Sequence, residues 1–320
     1  MDEIRLVVAS EIPTSPARKL PPSRPPLRVA AVQQRWRKNP EEHQEALAEG
    51  IALAAGEGAR LVCLQELTLS PYFASNPQGP RGAGIEAEPL PGGPTHRFAA
   101  QMAGRYRVYV HASLFERAAG DGDERGYNTA ILVAPDGELI GRTRKLHIPV
   151  TAGYHEDRYF RPGPGPDESQ PFPVFALEEA KLGLPTCWDQ WFPEVARAYS
   201  LEGTDILVYP TAIGSEPDHP DFDTQPLWER VIVANGIVNG VFMVAVNRVG
   251  SEPPITFYGS SFISDETGAI VADAPRDKEA VITHTFDLEA IRRARASWGL
   301  YRDRRPDLYG GLLKFGGGNT

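Results

Sequence analysis

The sequence predicts an α/β protein built as a four-layer αββα sandwich, in which two sheets pack face to face and helices cover both outer faces. Strand-like apolar segments alternate with helix-like segments over most of the 320 residues. Turn sequences such as Pro135-Asp-Gly137 interrupt this alternation and indicate hairpins, so the sheets should be mixed, not purely parallel. The predicted strands are too many for one sheet, whereas two packed sheets would bury all of them.

The first 26 residues form a separate segment because of their composition. Six prolines fall between Pro13 and Pro26, and the segment shows no apolar periodicity. This composition is typical of a flexible or extended arm without a core of its own. We therefore predict an arm over residues 1–26 and a single folded domain with a C-terminal tail over residues 27–320.

The regular part of the chain begins with a strand, a helix and a second strand. Leu27–Gln33 is an apolar run typical of a buried strand. Asn39-Pro-Glu-Glu42 then supplies an N-cap, a proline at the first helical position and early acidic residues, so a helix should continue to about Gly56. Leu61–Gln65 is the next buried strand. A helix after Thr95 and strands near 108–115, 127–133 and 138–142 follow.

The carboxyl-terminal half continues this pattern. Pro193 predicts the start of a helix that ends at Leu201, before Gly203, and another helix is expected around 227–239. Strands are predicted at 174–177, 182–186, 206–209, 241–246, 257–264 and 280–286. No internal repeat is visible.

Composition and charge limit the classes of function. The formal charge of -9 and isoelectric point near 5.4 would repel nucleic acids and anionic membrane surfaces. Two cysteines give no disulfide framework, and no apolar run approaches the length of a membrane span. Acidic residues at positions 2 and 3, without an apolar leader, predict no secretory signal. We therefore expect a cytoplasmic protein whose partner is a small molecule.

Cys187 is the candidate nucleophile. It ends an apolar run and is followed at once by polar and aromatic residues, so it should lie between a strand and a helix start. A thiol at such a turn faces the open end of a sheet, and the first helical amides stabilise a thiolate or an oxyanion beside it. Cys63 has apolar neighbours on both sides and is expected to be a buried, unreactive strand residue.

Three further polar residues lie near the ends of predicted strands. Glu66 follows the strand at 61–65, Lys145 follows the strand through Arg142, and Glu156 lies just beyond. Together with Cys187, they resemble the glutamate, lysine and cysteine signature of the nitrilase superfamily of carbon-nitrogen hydrolases. The resemblance covers about residues 27–309. Its motifs are Leu64-Gln-Glu-Leu67, Arg144-Lys-Leu-His-Ile-Pro149, Cys187-Trp-Asp-Gln-Trp-Phe-Pro-Glu194 and Tyr209-Pro-Thr-Ala-Ile-Gly-Ser-Glu-Pro217.

The resemblance implies the αββα sandwich of that superfamily, a homo-oligomer, and a role for each residue. Cys187 would be the nucleophile and Glu66 the general base, because a thiol near its usual pKa needs a base at neutral pH. Lys145 and the backbone amide of Trp188 would stabilise the oxyanion, and Glu156 would orient the site. Hydrolysis would pass through a thioester, without a metal ion or other cofactor.

The residues after Cys187 bear on the substrate. In relatives that hydrolyse N-carbamoyl amino acids, an arginine commonly follows the cysteine and holds the substrate carboxylate, whereas this chain has Trp188–Trp191. With Glu216 as a candidate contact, this predicts a substrate with a free amine, such as N-carbamoylputrescine. The alternatives are β-ureidopropionase-like or aliphatic amidase activity. For an anionic substrate, an arginine from elsewhere in the chain, such as Arg158 or Arg248, would have to fold into the pocket and supply the missing anion contact.

Two segments depart from the family pattern. Pro185 lies in the predicted strand before Cys187, where it would remove a ladder hydrogen bond and bend the strand end. The loop Val150-Thr-Ala-Gly153 differs from the proline- and aspartate-containing loop of the family and is expected to reshape the pocket.

Three other classes of function fit the sequence less well. A Cys-His nucleophile would use His147 or His155, but no Cys-His protease signature surrounds Cys187. A metal hydrolase needs closely spaced ligands, and the seven histidines show no such spacing. An inactive scaffold of the same fold would be favoured by loss of a catalytic residue, and all four positions are filled.

Overall fold

The computed structural model describes residues 4–8, 24–120 and 123–314, and its elements follow the predicted alternation of strands and helices. The strands are β1 (Arg5–Val8), β2 (Leu27–Gln33), β3 (Leu61–Leu64), β4 (Tyr109–Glu116), β5 (Tyr127–Val133), β6 (Leu139–Arg144), β7 (Val150–Thr151), β8 (Tyr154–His155), β9 (Val174–Ala176), β10 (Lys181–Gly183), β11 (Ile206–Thr211), β12 (Phe242–Asn247), β13 (Val249–Glu252), β14 (Ile255–Tyr258), β15 (Phe262–Ser264), β16 (Ile270–Asp273) and β17 (Ala280–Phe286). The α-helices are α1 (Pro40–Gly56), α2 (Gly79–Ala83), α3 (Pro94–Tyr106), α4 (Pro193–Leu201), α5 (Gln225–Asn239) and α6 (Leu288–Trp298). Short 3₁₀ helices cover Phe73–Ser75, Glu156–Arg158, Cys187–Trp191 and Pro306–Leu313.

Two mixed sheets form the centre of the described structure, as predicted. The first has the strand order β1-β17-β2-β3-β4-β5-β6, in which β2, β3 and β4 are parallel and β4, β5 and β6 antiparallel. The second has the order β16-β15-β12-β11-β10-β9, with β10, β11 and β12 parallel. Two hairpins, β7-β8 and β13-β14, lie outside both sheets.

Apolar side chains fill three interfaces between the layers. Alternate residues of the first sheet, such as Val29 and Cys63, pack against Val208 and Val244 of the second sheet. Helices α1 and α3 cover the other face of the first sheet, and α4 and α5 cover that of the second. This arrangement confirms the αββα sandwich. Cys63 is fully buried between the sheets, and this burial raises the pKa of its thiol, as expected of an unreactive core cysteine.

Two predicted strands differ from those observed. The strand predicted at 182–186 is Lys181–Gly183, so Pro185 lies beyond the ladder and removes no ladder hydrogen bond. The strand predicted at 257–264 is broken, because Gly259 and Ser260 both have positive φ angles, of 55° and 58°. The chain therefore leaves the β13-β14 hairpin at this point and enters the second sheet as β15.

The amino-terminal segment contains a strand that the sequence did not predict. Arg5–Val8 pair in parallel with Ala280–Thr283 and form one edge of the first sheet. Arg24, at the other end of the segment, forms an ion pair of 2.8 Å with Asp205. Residues 1–3 and 9–23 lie outside the described residues, so the arm stays a prediction there. Helix α6 was also not predicted.

The parallel strands place the functional side chains at one edge of the sandwich. Glu66 follows β3 of the first sheet, and Cys187 follows β10 of the second. Both are central strands that run parallel to a neighbour, and ligand sites form beyond the carboxyl ends of such strands. No helix in the described ranges is long and apolar enough to cross a membrane.

Candidate active site

Cys187 begins the 3₁₀ helix Cys187–Trp191 and adopts an unusual backbone conformation. Its φ angle is 39°, in the left-handed region that residues other than glycine rarely occupy. The carboxylate of Asp189 accepts a hydrogen bond from the Thr186 amide at 3.1 Å and so closes the turn around the thiol. The side chain is 6% exposed and lines a cavity. The structure therefore places Cys187 at the turn expected of a nucleophile.

Lys145 lies between the two predicted glutamates. Its ammonium donates hydrogen bonds to Glu66 Oε1 at 3.1 Å and to Glu156 Oε2 at 2.7 Å. All three side chains are almost fully buried. Glu66 lies 79 positions before Lys145 in the sequence, and Glu156 lies 11 positions after it. The fold thus joins the three side chains into one charged group. The structure brings together the three residues that the family resemblance assigned to base, oxyanion stabiliser and orienting carboxylate.

Two neutral side chains complete this group. Asn128 donates from Nδ2 to Glu66 Oε1 at 2.6 Å, and the Tyr72 hydroxyl donates to Glu156 Oε1 at 2.8 Å. Each oxygen of Glu156 therefore has a donor. Glu66 Oε2 is buried and has no hydrogen-bond partner among the described residues, which leaves this oxygen available to take a proton.

The electrostatics favour a charged lysine and a neutral thiol in the resting site. Burial by itself lowers the pKa of Lys145, but the charges of Glu156 and Glu66 more than offset this and raise that pKa above its usual value. Burial raises the pKa of the Cys187 thiol well above its usual range, and Glu66 adds to this effect. Burial also raises the pKa of Glu156, although Lys145 opposes the shift. Attack by Cys187 therefore requires a base that accepts its proton.

A cavity of about 300 Å³ opens above Cys187. Among the described residues, its lining includes no lysine or arginine. The lining combines aromatic side chains with carboxylates: Pro149, Thr151, Tyr154, Glu156, Cys187, Trp188, Trp191, Ala212, Ile213, Glu216, Asp218, His219, Phe222 and Thr224. The cavity therefore offers apolar surface and negative charge beside the Cys187 thiol.

Glu216 and Trp188, the two predicted contacts, both line this cavity. Thr224 Oγ1 donates to Glu216 Oε1 at 3.5 Å. Burial raises the pKa of Glu216, and the nearby charge of Asp218 raises it further. A bound cation would relieve this repulsion between the two carboxylates. Trp188 also packs edge-on against Trp191, with ring centroids 6.2 Å apart.

Neither arginine considered as an anion contact lines the cavity. The Arg158 side chain is 64% exposed and lies 3.6 Å from Asp157. Arg248 is fully buried, and its guanidinium donates to Glu252 and to the carbonyls of Glu66, Leu67 and Ser70. In this arrangement, neither arginine is available to hold a substrate carboxylate.

His147 is held in a structural role by Asp189. The ring Nδ1 lies 2.8 Å from Asp189 Oδ1, and the His147 amide donates to the same oxygen at 3.0 Å. The ring also stacks on Phe192, with centroids 3.6 Å apart. His155 pairs with Val150 in the β7-β8 hairpin. Neither histidine lines the cavity at Cys187, so the geometry does not favour a Cys-His nucleophile.

The loop that departs from the family pattern forms one wall of the cavity. Thr151 and Tyr154 of the β7-β8 hairpin line it. At Gly153, φ is 78°, and a Cβ atom would lie 2.6 Å from Pro217 Cγ. The hairpin therefore packs against the segment that carries Glu216 and contributes to the wall of the cavity. That its sequence reshapes the pocket relative to the family stays a prediction.

Sequence reasoning did not assign the observed contacts of four residues that hold the site together. Asn128 is a polar residue within an apolar strand, and that pattern is a usable signal. Asp189 lies inside the recognised motif after Cys187, but no role was assigned to it. Tyr72 and Arg248 carry no local signal, because they reach the site only through the tertiary fold.

The described residues contain no cluster of three or more histidine, cysteine, aspartate or glutamate side chains able to hold a metal ion. The expectation that neither a metal nor another cofactor takes part stays a prediction. The chemical groups that the site does present are a thiol, a buried ammonium and two buried carboxylates.

The sequence and the fold of this chain are both similar to those of known carbon-nitrogen hydrolases. The family model for carbon-nitrogen hydrolases matches residues 28–296. N-carbamoylputrescine amidase of Solanum lycopersicum is 42% identical over 283 residues, covering 86% of this chain and 91% of that protein. Citrullinase of Francisella tularensis is 38% identical over 292 residues, covering 90% and 98%. The crystal structure of a carbon-nitrogen hydrolase from Helicobacter pylori G27 superposes with a TM-score of 0.76 at 32% identity, covering 91% and 99%.

Proposed function

The chain belongs to the carbon-nitrogen hydrolase family of the nitrilase superfamily, and on this premise we propose that it hydrolyses N-carbamoyl amines through a thioester on Cys187. N-carbamoylputrescine is the substrate that we expect to be preferred, with putrescine, carbon dioxide and ammonia as products. The observation that carries this proposal is the cavity at Cys187, whose described lining contains carboxylates and aromatic rings but no lysine or arginine.

In the first half of the proposed reaction, the carbamoyl carbon forms a bond to Cys187 Sγ and loses its bond to the terminal amino group. Glu66 Oε2 accepts the thiol proton as Cys187 Sγ attacks the carbamoyl carbon. The Lys145 ammonium and the Trp188 amide stabilise the negative charge that develops on the carbonyl oxygen. When the tetrahedral intermediate collapses, the C–N bond to the amino group breaks. Glu66 returns the proton, so that ammonia leaves and a thioester remains.

The second half uses the same carboxylate. Glu66 takes a proton from a water molecule, which attacks the thioester, and the thiol is released in its protonated form. The product is a carbamic acid, which decomposes to the amine and carbon dioxide. Throughout both halves, Glu156 holds the ammonium of Lys145 in place at 2.7 Å. The raised pKa of Lys145 keeps this ammonium charged at neutral pH.

The charges around the cavity support an amine at the far end of the substrate. Glu216 is half-buried and Asp218 is exposed at the rim, so both carboxylates can attract an ammonium group. Trp188 and Trp191 offer apolar surface to the methylene chain. Citrulline differs from N-carbamoylputrescine by one α-carboxylate, and among the described lining residues only His219 could offer that group a positive charge.

A substrate panel with ammonia release as the readout tests the proposal. It contains N-carbamoylputrescine, L-citrulline, N-carbamoyl-β-alanine, butyramide and N-butylurea, which has the same chain length as N-carbamoylputrescine but no amine. We expect kcat/KM to be highest for N-carbamoylputrescine and about tenfold or more lower for N-butylurea, because a charge-assisted contact is lost. Higher kcat/KM for N-carbamoyl-β-alanine or butyramide would favour the β-ureidopropionase-like or amidase alternative. Higher kcat/KM for L-citrulline would remove the assignment to a simple amine.

A further inference from the structure

The turn after Glu66 is held by one buried guanidinium. Leu67 has a φ angle of 50°, so the chain reverses directly after the proposed base. This turn directs backbone carbonyls towards Arg248, whose Nη2 donates to Glu66 O at 2.9 Å, Leu67 O at 3.1 Å and Ser70 O at 3.0 Å. Arg248 thus contacts the backbone of the base itself, from a position 182 residues further along the chain.

The same guanidinium connects to the second glutamate through two further contacts. Arg248 Nη1 donates to Glu252 Oε1 at 2.6 Å. The other oxygen, Glu252 Oε2, accepts from the Tyr72 amide at 2.7 Å. The hydroxyl of Tyr72 in turn donates to Glu156 Oε1 at 2.8 Å. Arg248, Glu252 and Tyr72 therefore form a series of hydrogen-bonded residues that joins the backbone of Glu66 to the carboxylate of Glu156.

We propose that Arg248 and Glu252 are positioning residues that fix the carboxylates of Glu66 and Glu156 relative to each other and to Cys187. The pair is named the Arg248–Glu252 brace. The inference rests on the proposed function in one respect, namely that Glu66 is the base for Cys187. It assigns no contact with substrate to either member of the brace.

The cost of burying this pair argues for such a role. The Arg248 side chain is fully buried and that of Glu252 is 11% exposed. Buried ion pairs often contribute little net stability, because desolvation offsets the attraction between the charges. Arginine presents several donors in one plane. Here Nη1 donates to the carboxylate and Nη2 lies within hydrogen-bond distance of three carbonyls, whereas the buried Nε has no partner among the described residues. A lysine could not make the same set of contacts.

The location of the brace explains why positioning is needed. Glu66 follows β3 in the first sheet. Arg248 lies between β12 of the second sheet and β13, and Glu252 is the last residue of β13. The brace therefore ties a loop of one sheet to a hairpin that leaves the other, at the edge where Cys187 lies. Small errors in the placement of reacting groups cost large factors in rate.

The test compares variants that alter the brace with a matched control elsewhere. Glu252→Gln removes the charge, Glu252→Asp keeps the charge but shortens its reach, and Tyr72→Phe removes only the contact with Glu156. Asp205→Asn is the control, since it breaks a partly buried ion pair with Arg24 at the opposite end of the second sheet. Circular dichroism and thermal melting show which variants are folded at the temperature of the kinetic assay.

Two readouts are recorded for each folded variant: kcat and KM for N-carbamoylputrescine, and the pH dependence of iodoacetamide alkylation at Cys187, followed by mass spectrometry. We expect each Glu252 variant that folds to lower kcat roughly ten- to a hundredfold with little change in KM, and to shift the alkylation profile. We also expect Tyr72→Phe to have a smaller effect in a Glu252 variant than in the wild type, because both changes act on Glu156.

The inference is overturned if the folded Glu252 variants keep the wild-type alkylation profile, or if their kcat falls no further than that of Asp205→Asn. Additive effects of Tyr72→Phe and the Glu252 variants would also contradict it. Failure of the proposed function gives a different result: the wild type would release no ammonia from any N-carbamoyl compound. The alkylation profiles would still test the brace in that case, since they need no substrate.

Discussion

Asn128 donates a hydrogen bond of 2.6 Å to Glu66 Oε1, the oxygen that also accepts from Lys145. Two donors on one oxygen fix the orientation of the carboxylate and leave Oε2 without a partner among the described residues. Oε2 therefore has no hydrogen bond among the described residues that must break before this carboxylate can act as the proposed base. This relationship explains why a neutral amide occupies a fully buried position in a mainly apolar strand.

Replacement of Asn128 should slow the reaction without abolishing it. We expect Asn128→Leu to lower kcat by roughly ten- to a hundredfold, because a hydrogen bond to a charged group contributes about 1.5–3 kcal/mol. Glu66→Gln should lose more, about 10² to 10⁴, since both half-reactions need the base. Ammonia release under saturating substrate measures both. Wild-type kcat in Asn128→Leu would show that Lys145 alone suffices to orient Glu66.

The two cysteines should differ completely in reactivity. Cys187→Ser should abolish turnover, whereas Cys63→Ala should keep it and lose on the order of 1 kcal/mol of unfolding free energy from the core between the sheets. Kinetics and chemical denaturation separate the two effects. Iodoacetamide should label Cys187 in the folded protein. A label mainly on Cys63, or an active Cys187→Ser, would disprove the assignment of the nucleophile.

Removal of the buried ammonium should affect both rate and stability. In Lys145→Met, the carboxylates of Glu66 and Glu156 would remain buried without their shared cation, so we expect the unfolding free energy to fall by about 3–5 kcal/mol. The lost stabilisation of the oxyanion should cost at least about 10² in kcat. Denaturation curves and single-turnover rates check the two parts. A variant that is fully stable but inactive would mean that Lys145 matters for chemistry alone.

His147 and Asp189 separate the proposed mechanism from a Cys-His one. Asp189 accepts from the amides of Thr186 and His147, so Asp189→Asn would place an NH₂ group against a donor and cost about 1–3 kcal/mol of stability. His147→Gln, by contrast, should retain most of the activity. Chemical denaturation measures the stability of Asp189→Asn, and steady-state kinetics measure the activity of His147→Gln. Loss of turnover in a folded His147→Gln would instead support a histidine base.

Neutralising Glu216 should affect charged substrates selectively. We expect Glu216→Gln to lower kcat/KM for N-carbamoylputrescine by about tenfold, since a charge-assisted contact becomes a neutral one, and to leave kcat/KM for N-butylurea almost unchanged. Ala or other truncations would also alter the cavity volume, so glutamine is the matched variant. If kcat/KM fell equally for the two substrates, Glu216 would support the structure of its loop and would not bind the substrate amine.

Much of the fold could be predicted because its signals are local. The N-cap at Asn39, with its side chain accepting from the amides of Glu41 and Glu42, and the helix Pro193–Leu201 both occur where the sequence predicts them. The prediction of one strand at 257–264 was wrong because Gly259 and Ser260, in the middle of the segment, adopt left-handed backbone conformations. The Gly-Ser-Ser sequence there is a local signal for a break between the two flanking apolar pairs. The edge strand Arg5–Val8 was missed because one arginine and three apolar residues, in a segment that is otherwise proline-rich, carry too little pattern.

By itself, the sequence determined most of the helices and most strands of the two sheets, although not β1 or α6. It also placed Glu66, Lys145 and Cys187 at strand ends. Periodicity, caps and motif spacing depend on neighbouring residues and are therefore readable along the chain. Only the tertiary structure decided which side chains support these residues. Asn128 lies 62 residues from Glu66, and Arg248 lies 182 residues from it, and contacts over such separations arise only when the two sheets pack together. The same packing keeps Arg248 out of the lining of the cavity at Cys187 and places its guanidinium against the backbone of Glu66, the proposed base.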